Sequence, residues 1–270
     1  MSDALTLAGI YIYPIKSCRG IALTEAALTG YGLALDRQWM VVDDRGRFLT
    51  QRRFPAMARI VPALAAEGLT VTAPGMAPLT VASSAPYGEQ PVAVRVWGFE
   101  GIAADAGAEA AAWLSHYLGL ACRLVALGSQ FQRPVEEPYN TGADHIAFAD
   151  GFPLLLIGEG SLADLNARLE MPVPMDRFRP NLVVAGSEAF AEDGWRRIAI
   201  NGVEFTVAKP CSRCAIPSVD QATGERGAEP GRTLASYRQG EDGEVYFGQN
   251  LIHHTSAGLL RVGDGVTVLA

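Results

Sequence analysis

Short apolar runs follow one another along this chain with turn residues between them, and over long stretches no helix intervenes. The first half carries "LAGIYIYPIKS", "RQWMVVDDRGRFLTQR", "GLTVTA", "VAVRVWG" and "CRLVALG". The second carries "NLVVAG", "WRRIAING", "VEFTVAK", "EVYFGQN" and "GLLRVGDGVTVLA". Their lengths and their content of Val, Ile, Tyr and Trp predict strands. A doubly wound sheet needs a helix between successive parallel strands, so that architecture is disfavoured. The expected class is mainly β with some helix (α+β). Within "WMVVDDRGRFLTQ", Asp44-Arg45-Gly46 lies between apolar runs and predicts a hairpin.

Two helices are predicted against this background. "GAEAAAWLSHYLGL" puts Trp113, Leu114, Tyr117 and Leu118 on one face, and Gly119 suits its end. "SLADLNARLE" follows the buried-strand run "LLLIG", with Ser161 as its expected N-cap and Asp164 three positions on. Gly158, Gly160 and Ala163 fit a dinucleotide fingerprint, but that motif needs a second strand ending in an acid. The proline-rich "MPVPMDRFRPN" stands there instead, so the glycines predict an ordinary strand-to-helix turn. "SQFQRPVEEPYNTGADH" gathers proline and polar residues and predicts a boundary or long crossing loop between regions 1–125 and 126–270.

Charge and composition exclude several classes. A net charge of −7 argues against nucleic acid as a partner, because phosphates demand a basic footprint. No apolar run approaches the ~20 residues that span a bilayer, and the start lacks the basic residues and cleavage site of a secretory signal. The expectation is a cytoplasmic protein with no membrane partner. Four cysteines among 270 residues do not read as a disulfide framework.

The chemistry gathers at "KPCSRCAIP", residues 209–217, where Cys211 and Cys214 stand three positions apart. Only two of the 22 basic residues are lysine, Lys16 in "YPIKSC" and Lys209 in "KPCSRC". A structural zinc site needs four ligands, normally from two close pairs. Here Cys18 and Cys122 are isolated and His253 and His254 are adjacent, so a second pair is missing. A thioredoxin-type pair opens a helix, whereas Pro217 and a turn follow this one. Iron–sulfur clusters need four thiolates in fixed spacing. The best-supported arrangement is a single thiolate beside an anion site. Nearby cations favour the ionised thiol that binds a soft metal, and the same Lys209, Ser212 and Arg213 suit phosphate oxygens. These residues suggest a ligand carrying both a soft metal and a phosphate.

Further motifs extend the pattern: "YPIKSCRG" at 13–20, "DRQWMVV" at 36–42, "SLADLN" at 161–166, "FRPNLVV" at 178–184 and "AEDGW" at 191–195. "CSRCAIPSVDQATG" at 211–224 and "FGQN" at 247–250 complete the series. In this order they resemble the MOSC family of molybdenum-cofactor proteins, in the type that places an N-terminal β-barrel region before the MOSC domain. That type includes the mitochondrial amidoxime-reducing component and bacterial proteins that detoxify N-hydroxylated bases. The resemblance implies a barrel-like region over 1–125 and a barrel-like MOSC domain over 126–270.

It also implies a molybdenum cofactor whose metal takes its protein thiolate from Cys214, the expected catalytic residue. Lys16, Ser17, Arg37 and Arg179 are implied at the pterin phosphate region, and Ser212 and Arg213 are implied to hold the cofactor. Asn181 and Asn250 are further cofactor-binding candidates. Three of these have structural alternatives: Arg37 in an ion pair with Asp36 or Asp43, Arg179 as an anchor of the proline-rich loop, and Asn181 as a turn or cap residue. Where the mitochondrial proteins use a Thr-Ser pair, this chain has Gly151-Phe152, so a contact there falls to backbone N–H groups. The implied activity is reduction of small N-hydroxylated substrates (amidoximes, hydroxylamines or hydroxylated bases). Its electrons are expected from a separate donor protein of ferredoxin, flavoprotein or cytochrome type. The alternative is a carrier that holds the cofactor, or a persulfide on Cys214.

Overall fold

The computed structural model describes residues 4–66, 68–82, 90–139 and 145–270, so residues 140–144 of the expected boundary segment lie outside the description. At its centre is an eight-stranded sheet. The order is Ile21–Leu23, Thr6–Ile12, Leu182–Ala185, Leu154–Gly158, Tyr246–His253, Val203–Ser212, Arg197–Ile200 and Val266–Val268. Neighbours are antiparallel except Leu154–Gly158 and Leu182–Ala185, which run parallel and are connected through the helix Glu159–Arg168. "LLLIG" is buried along its whole length, as its unbroken apolar run predicts. Leu7, Leu156, Leu182, Phe205 and Leu251 form the fully buried heart of this layer.

A second sheet, ordered Trp39–Asp43, Cys122–Ala126, Phe99–Asp105 and Pro91–Val96, builds the N-terminal region. A three-stranded sheet of Val61–Ala65, Gly68–Thr72 and Leu79–Ala82 joins it. Trp39, Met57, Leu69, Val71 and Leu124 form its core, against which the helix Ala108–Leu118 lays Leu114. That helix ends as expected at Gly119, whose φ of 71° is free of steric cost only for glycine. The Asp44–Gly46 turn is also present, with Gly46 N–H donating to Asp43 O at 3.1 Å.

Two expectations are corrected. The sheets are mainly β as predicted, but among the described residues neither region closes into a barrel. Thr6–Ile12 has one edge on Leu182–Ala185 and pairs Ile10–Ile12 with Ile21–Leu23 on the other. Only its first residues are left for the chain's last segment, joined by the Thr6–Gly265 bridge and a 2.8 Å bond from Leu7 N–H to Asp264 O. The second correction concerns Ser161, which is not an N-cap. The helix starts at Glu159 with Gly158 as N-cap, and the buried Glu192 of "AEDGW" serves its first turn instead. One Glu192 oxygen accepts from Gly158 N–H at 3.0 Å and from Ser161 Oγ at 2.7 Å. A carboxylate from a distant segment satisfies the helix terminus, a solution local pattern rules cannot see.

The glycines of that turn have a packing role. A Cβ on Gly160 would stand 2.5 Å from the Ser187 carbonyl oxygen, while one on Gly194 would meet nothing within 4 Å. Gly160→Ala should therefore lower stability by about 1–3 kcal/mol, and Gly194→Ala should cost far less. Urea midpoints of the two variants check this, and equal midpoints would show that the turn can shift without penalty.

Candidate functional site

Four chain segments converge on one cleft through bonds between their own motifs. Tyr13 of "YPIKSCRG" is fully buried, its hydroxyl donating to Pro180 O at 3.0 Å and its N–H to Asp36 Oδ1 at 2.7 Å. A Cβ on Gly20 would lie 2.5 Å from the Tyr13 ring, so the closing glycine of that motif makes room for it. Two guanidinium groups lie over the same ring, Arg37 at 4.6 Å and Arg179 at 4.1 Å from its centroid. Arg37 also bonds Asp36 at 2.5 Å and Asn181 Oδ1 at 2.9 Å, and Arg179 donates to Cys18 O at 2.6 Å. Lys16 reaches the other side of the cleft, donating to Phe148 O at 2.7 Å and Asp150 Oδ1 at 2.5 Å. Arg213 ties the cysteine segment in by donating to Phe178 O at 2.7 Å.

Backbone strain collects at the same place. Ser17, Arg37 and Arg179 have φ of 65°, 47° and 58°, a region L-residues rarely adopt. Each is held by neighbours: the Ser17 carbonyl accepts from Gln51 Nε2 at 2.8 Å, and Gln51 and Gln221 exchange amide bonds at 3.0 Å. Strained residues that cluster around a cleft mark it as a place where side chains are aimed at a ligand. The cysteine segment is re-aimed as well. Register shifts between Val207 and Lys209, and between Pro210 and Ser212, break the ladder with Tyr246–His253 just before Cys214.

The cleft has a cavity volume of about 130 Å³, and it shares Asp150, Cys211 and Cys214 with the outer cavity. The residues implied by the resemblance line it, namely Lys16, Ser17, Arg37, Arg179, Asn181, Ser212, Arg213, Cys214 and Asn250, but Lys209 of the cysteine motif does not. Their roles differ. Asn181 is committed to protein, accepting from Arg37 and Leu155 N–H and donating to Tyr11 O at 3.1 Å. Asn250 donates weakly to Lys209 O at 3.3 Å. Lys209 is not in this cleft; it pairs with Glu136 at 2.7 Å in a second, outer cavity. Cys214 is exposed and lines both cavities, whereas Cys211 is half-buried with Arg213 donating to its sulfur at 3.0 Å.

The electrostatics favour an anion. Lys16, Arg37, Arg52, Arg179 and Arg213 line the cleft, with Asp150 the one acid among its lining residues. Burial depresses the pKa of Lys16 and of Arg179. Burial works the same way on Arg37, but the Asp36 carboxylate outweighs it and holds Arg37 firmly charged. Desolvation acts to raise Asp150, yet the Lys16 ammonium, Arg52 and the Trp97 indole N–H hold it well below the usual carboxylate range. Asp150 is thus an ionised anchor for Lys16. Sequence reasoning missed Asp150, Arg52, Gln51 and Gln221, none of which belongs to a chemically suggestive local pattern.

A thiol at the junction of two cavities, beside a cation-lined pocket, suits an anionic ligand with a soft centre. Residues 4–121 match the MOSC N-terminal beta barrel domain, and residues 143–267 match the MOSC domain. Mitochondrial amidoxime-reducing component 1 of Mus musculus is 36% identical over 98% of this chain and 82% of its own length. Mitochondrial amidoxime reducing component 2 of Homo sapiens is 34% identical over 97% of this chain and 82% of its own. A molybdenum cofactor sulfurase of Danio rerio is 33% identical over 94% of this chain, which spans 32% of that longer protein. The chain belongs to the MOSC-domain family that contains the amidoxime-reducing components.

The four cysteines differ enough in exposure for a direct test. Cys18 and Cys122 are buried, and burial pushes the Cys18 thiol up to about 12. In cofactor-free protein a thiol reagent should find one fast group, lost in Cys214→Ser, with Cys18 and Cys122 silent until unfolding. Fast labelling of Cys18 would show that the cleft floor opens in solution.

Proposed function

We propose that this protein is a molybdenum-cofactor-dependent reductase of N-hydroxylated compounds that draws electrons from a separate donor protein. The observation that carries the reading is the pairing of one exposed thiol with a pocket of buried, strained cations, in a chain similar over nearly its full length to amidoxime-reducing components. A cytoplasmic location belongs to the same proposal. No helix among the described residues is long and apolar enough to cross a membrane.

The residues fit the cofactor. Its thiolate-bound metal matches Cys214, an exposed soft donor free of any disulfide among the described residues. Its phosphate matches Lys16, Arg37 and Arg179, whose charges exceed the single buried Asp36 beneath them. Arg213 Nε is buried with no protein partner, an unused donor at the pocket wall. When bound, the cofactor supplies a metal that accepts oxygen and cycles two electrons. The net change consumes two electrons and two protons and converts N–OH to N–H plus water.

The chain's own part is binding and orientation. Asn181 fixes the Arg37 guanidinium, and Asp36 keeps it charged. Asp150 holds Lys16 over the cleft and, being ionised, is not a proton donor at neutral pH. The outer cavity gives substrate and solvent protons access to the Cys214 side of the site.

The test is turnover with an artificial donor. Protein from a host that makes molybdenum cofactor should contain about one molybdenum with a phosphorylated pterin, and with reduced viologen it should convert benzamidoxime to benzamidine. Cys214→Ser should abolish turnover, because a hydroxyl is a poor ligand for a soft-donor site, while Cys211→Ser keeps most of it. Full molybdenum without turnover would point instead to a cofactor carrier, and equal metal loss in both serine variants would remove Cys214 as the distinctive ligand.

A further inference from the structure

The strands Pro91–Val96 and Phe99–Asp105 are joined by two residues, Trp97 and Gly98. Trp97 takes φ 54°, where a bulky aromatic is an outlier. Gly98, which could occupy that region without cost, lies outside it. The order Trp-Gly therefore puts the strain on the aromatic. Strain of this kind persists where the surroundings over-determine it, and here they do. The Arg52 guanidinium lies 4.6 Å over the indole, the Phe48 ring meets it edge-on at 5.1 Å, and the indole N–H donates to Asp150 Oδ1 at 3.2 Å.

Burial does not explain this effort. Trp97 remains 44% exposed, and among the described residues it touches the core only through Phe48, which packs at the edge of a cluster formed by Val42, Val94 and Phe131. Its exposed surface lines the outer cavity together with Phe152, Asn250 and Cys214. The hairpin of the N-terminal region thus carries an oriented aromatic surface to the mouth of a cleft whose thiol belongs to the C-terminal half.

We infer that Trp97 is the wall against which substrate stacks. It selects flat, conjugated N-hydroxylated compounds, such as aryl amidoximes and hydroxylated heteroaromatic bases, over aliphatic ones. This rests on the reductase reading above and adds its substrate class. A conjugated ring gains from offset stacking on indole beyond the area it buries, while an aliphatic amidoxime of the same head group gains little. Arg52 and Asp150 are positioning residues in this arrangement, because they hold the indole and the ring makes the contact.

The experiment compares benzamidoxime with acetamidoxime in molybdenum-loaded protein under reduced viologen, for wild type, Trp97→Phe and Trp97→Gly. Glycine accepts φ 54° without strain, so Trp97→Gly keeps the turn, and unchanged molybdenum content verifies that the site is intact. The ratio of kcat/KM for benzamidoxime to that for acetamidoxime should fall about 10-fold in Trp97→Gly, through KM. Trp97→Phe should restore most of it. An unchanged ratio overturns the inference. If wild type reduces neither compound, the reductase reading fails on its own, and calorimetric titration with benzamidoxime then decides the wall. Binding weakened in Trp97→Gly and recovered in Trp97→Phe upholds it; binding that is absent in wild type or equal in all three proteins overturns it.

Discussion

Two arginines buried against one phenol ring set the terms for the rest of this site. Removing a guanidinium from water costs several kcal/mol unless charge and hydrogen bonds replace the lost hydration. Asp36 supplies one carboxylate, and it serves Arg37 and the Tyr13 N–H together. Arg179 has no carboxylate among its hydrogen-bond partners; it has the Cys18 carbonyl and the Tyr13 ring. The pocket floor therefore keeps surplus positive charge at a place solvent reaches only through the cleft. An anionic ligand would complete that balance. The left-handed backbone at both arginines fits the same logic, since ordinary φ values would aim these side chains elsewhere.

Neither half of the chain makes the site alone. Lys16, Ser17, Arg37 and Arg52 come from the N-terminal region, and Asp150, Arg179, Arg213 and Cys214 from the C-terminal half. Two features fasten the halves: Thr6–Ile12 is an inner strand of the large sheet, and Gln51, which donates to Ser17 O, exchanges amide bonds with Gln221. Both glutamines are almost fully buried, so breaking one side would leave unsatisfied polar groups in a low-dielectric interior. The relative placement of the cleft-lining cations and the thiol thus rests on hydrogen-bonded contacts, not on a linker.

The strands were legible because their signal is local: apolar runs of the right length between turn residues. The parallel pairing of Leu154–Gly158 with Leu182–Ala185 was not, since a buried run reads the same whichever direction its neighbour runs. Ser161 was misread for a related reason. A carboxylate 31 residues away took over the helix terminus, and no window around Ser161 contains it. At the site, motif residues were legible through family resemblance, while their partners were not. Asp150 and Arg52 carry meaning only once folding brings them beside Lys16 and Trp97. For Arg37 the two readings were not exclusive, because it pairs with Asp36 and faces the cleft at once.

The cysteine segment shows how structure can keep a sequence inference while changing its cause. In sequence, Lys209 and Arg213 look like the cations that flank a reactive thiol. In the fold Lys209 is engaged by Glu136, and the Arg213 guanidinium points to Phe178 O and to Cys211. Arg213 is better understood as a peg. Its N–H donates to Val245 O at 2.7 Å and its side chain fastens to the "FRPN" segment, so the residue after it leaves the bulged strand at a fixed point. Cys214 is that residue and is the more exposed of the two, while Cys211, which lines the same cavities, has its sulfur bonded by the same arginine. Two cysteines three positions apart thus differ in exposure, and the anchored arginine between them donates to the sulfur of Cys211.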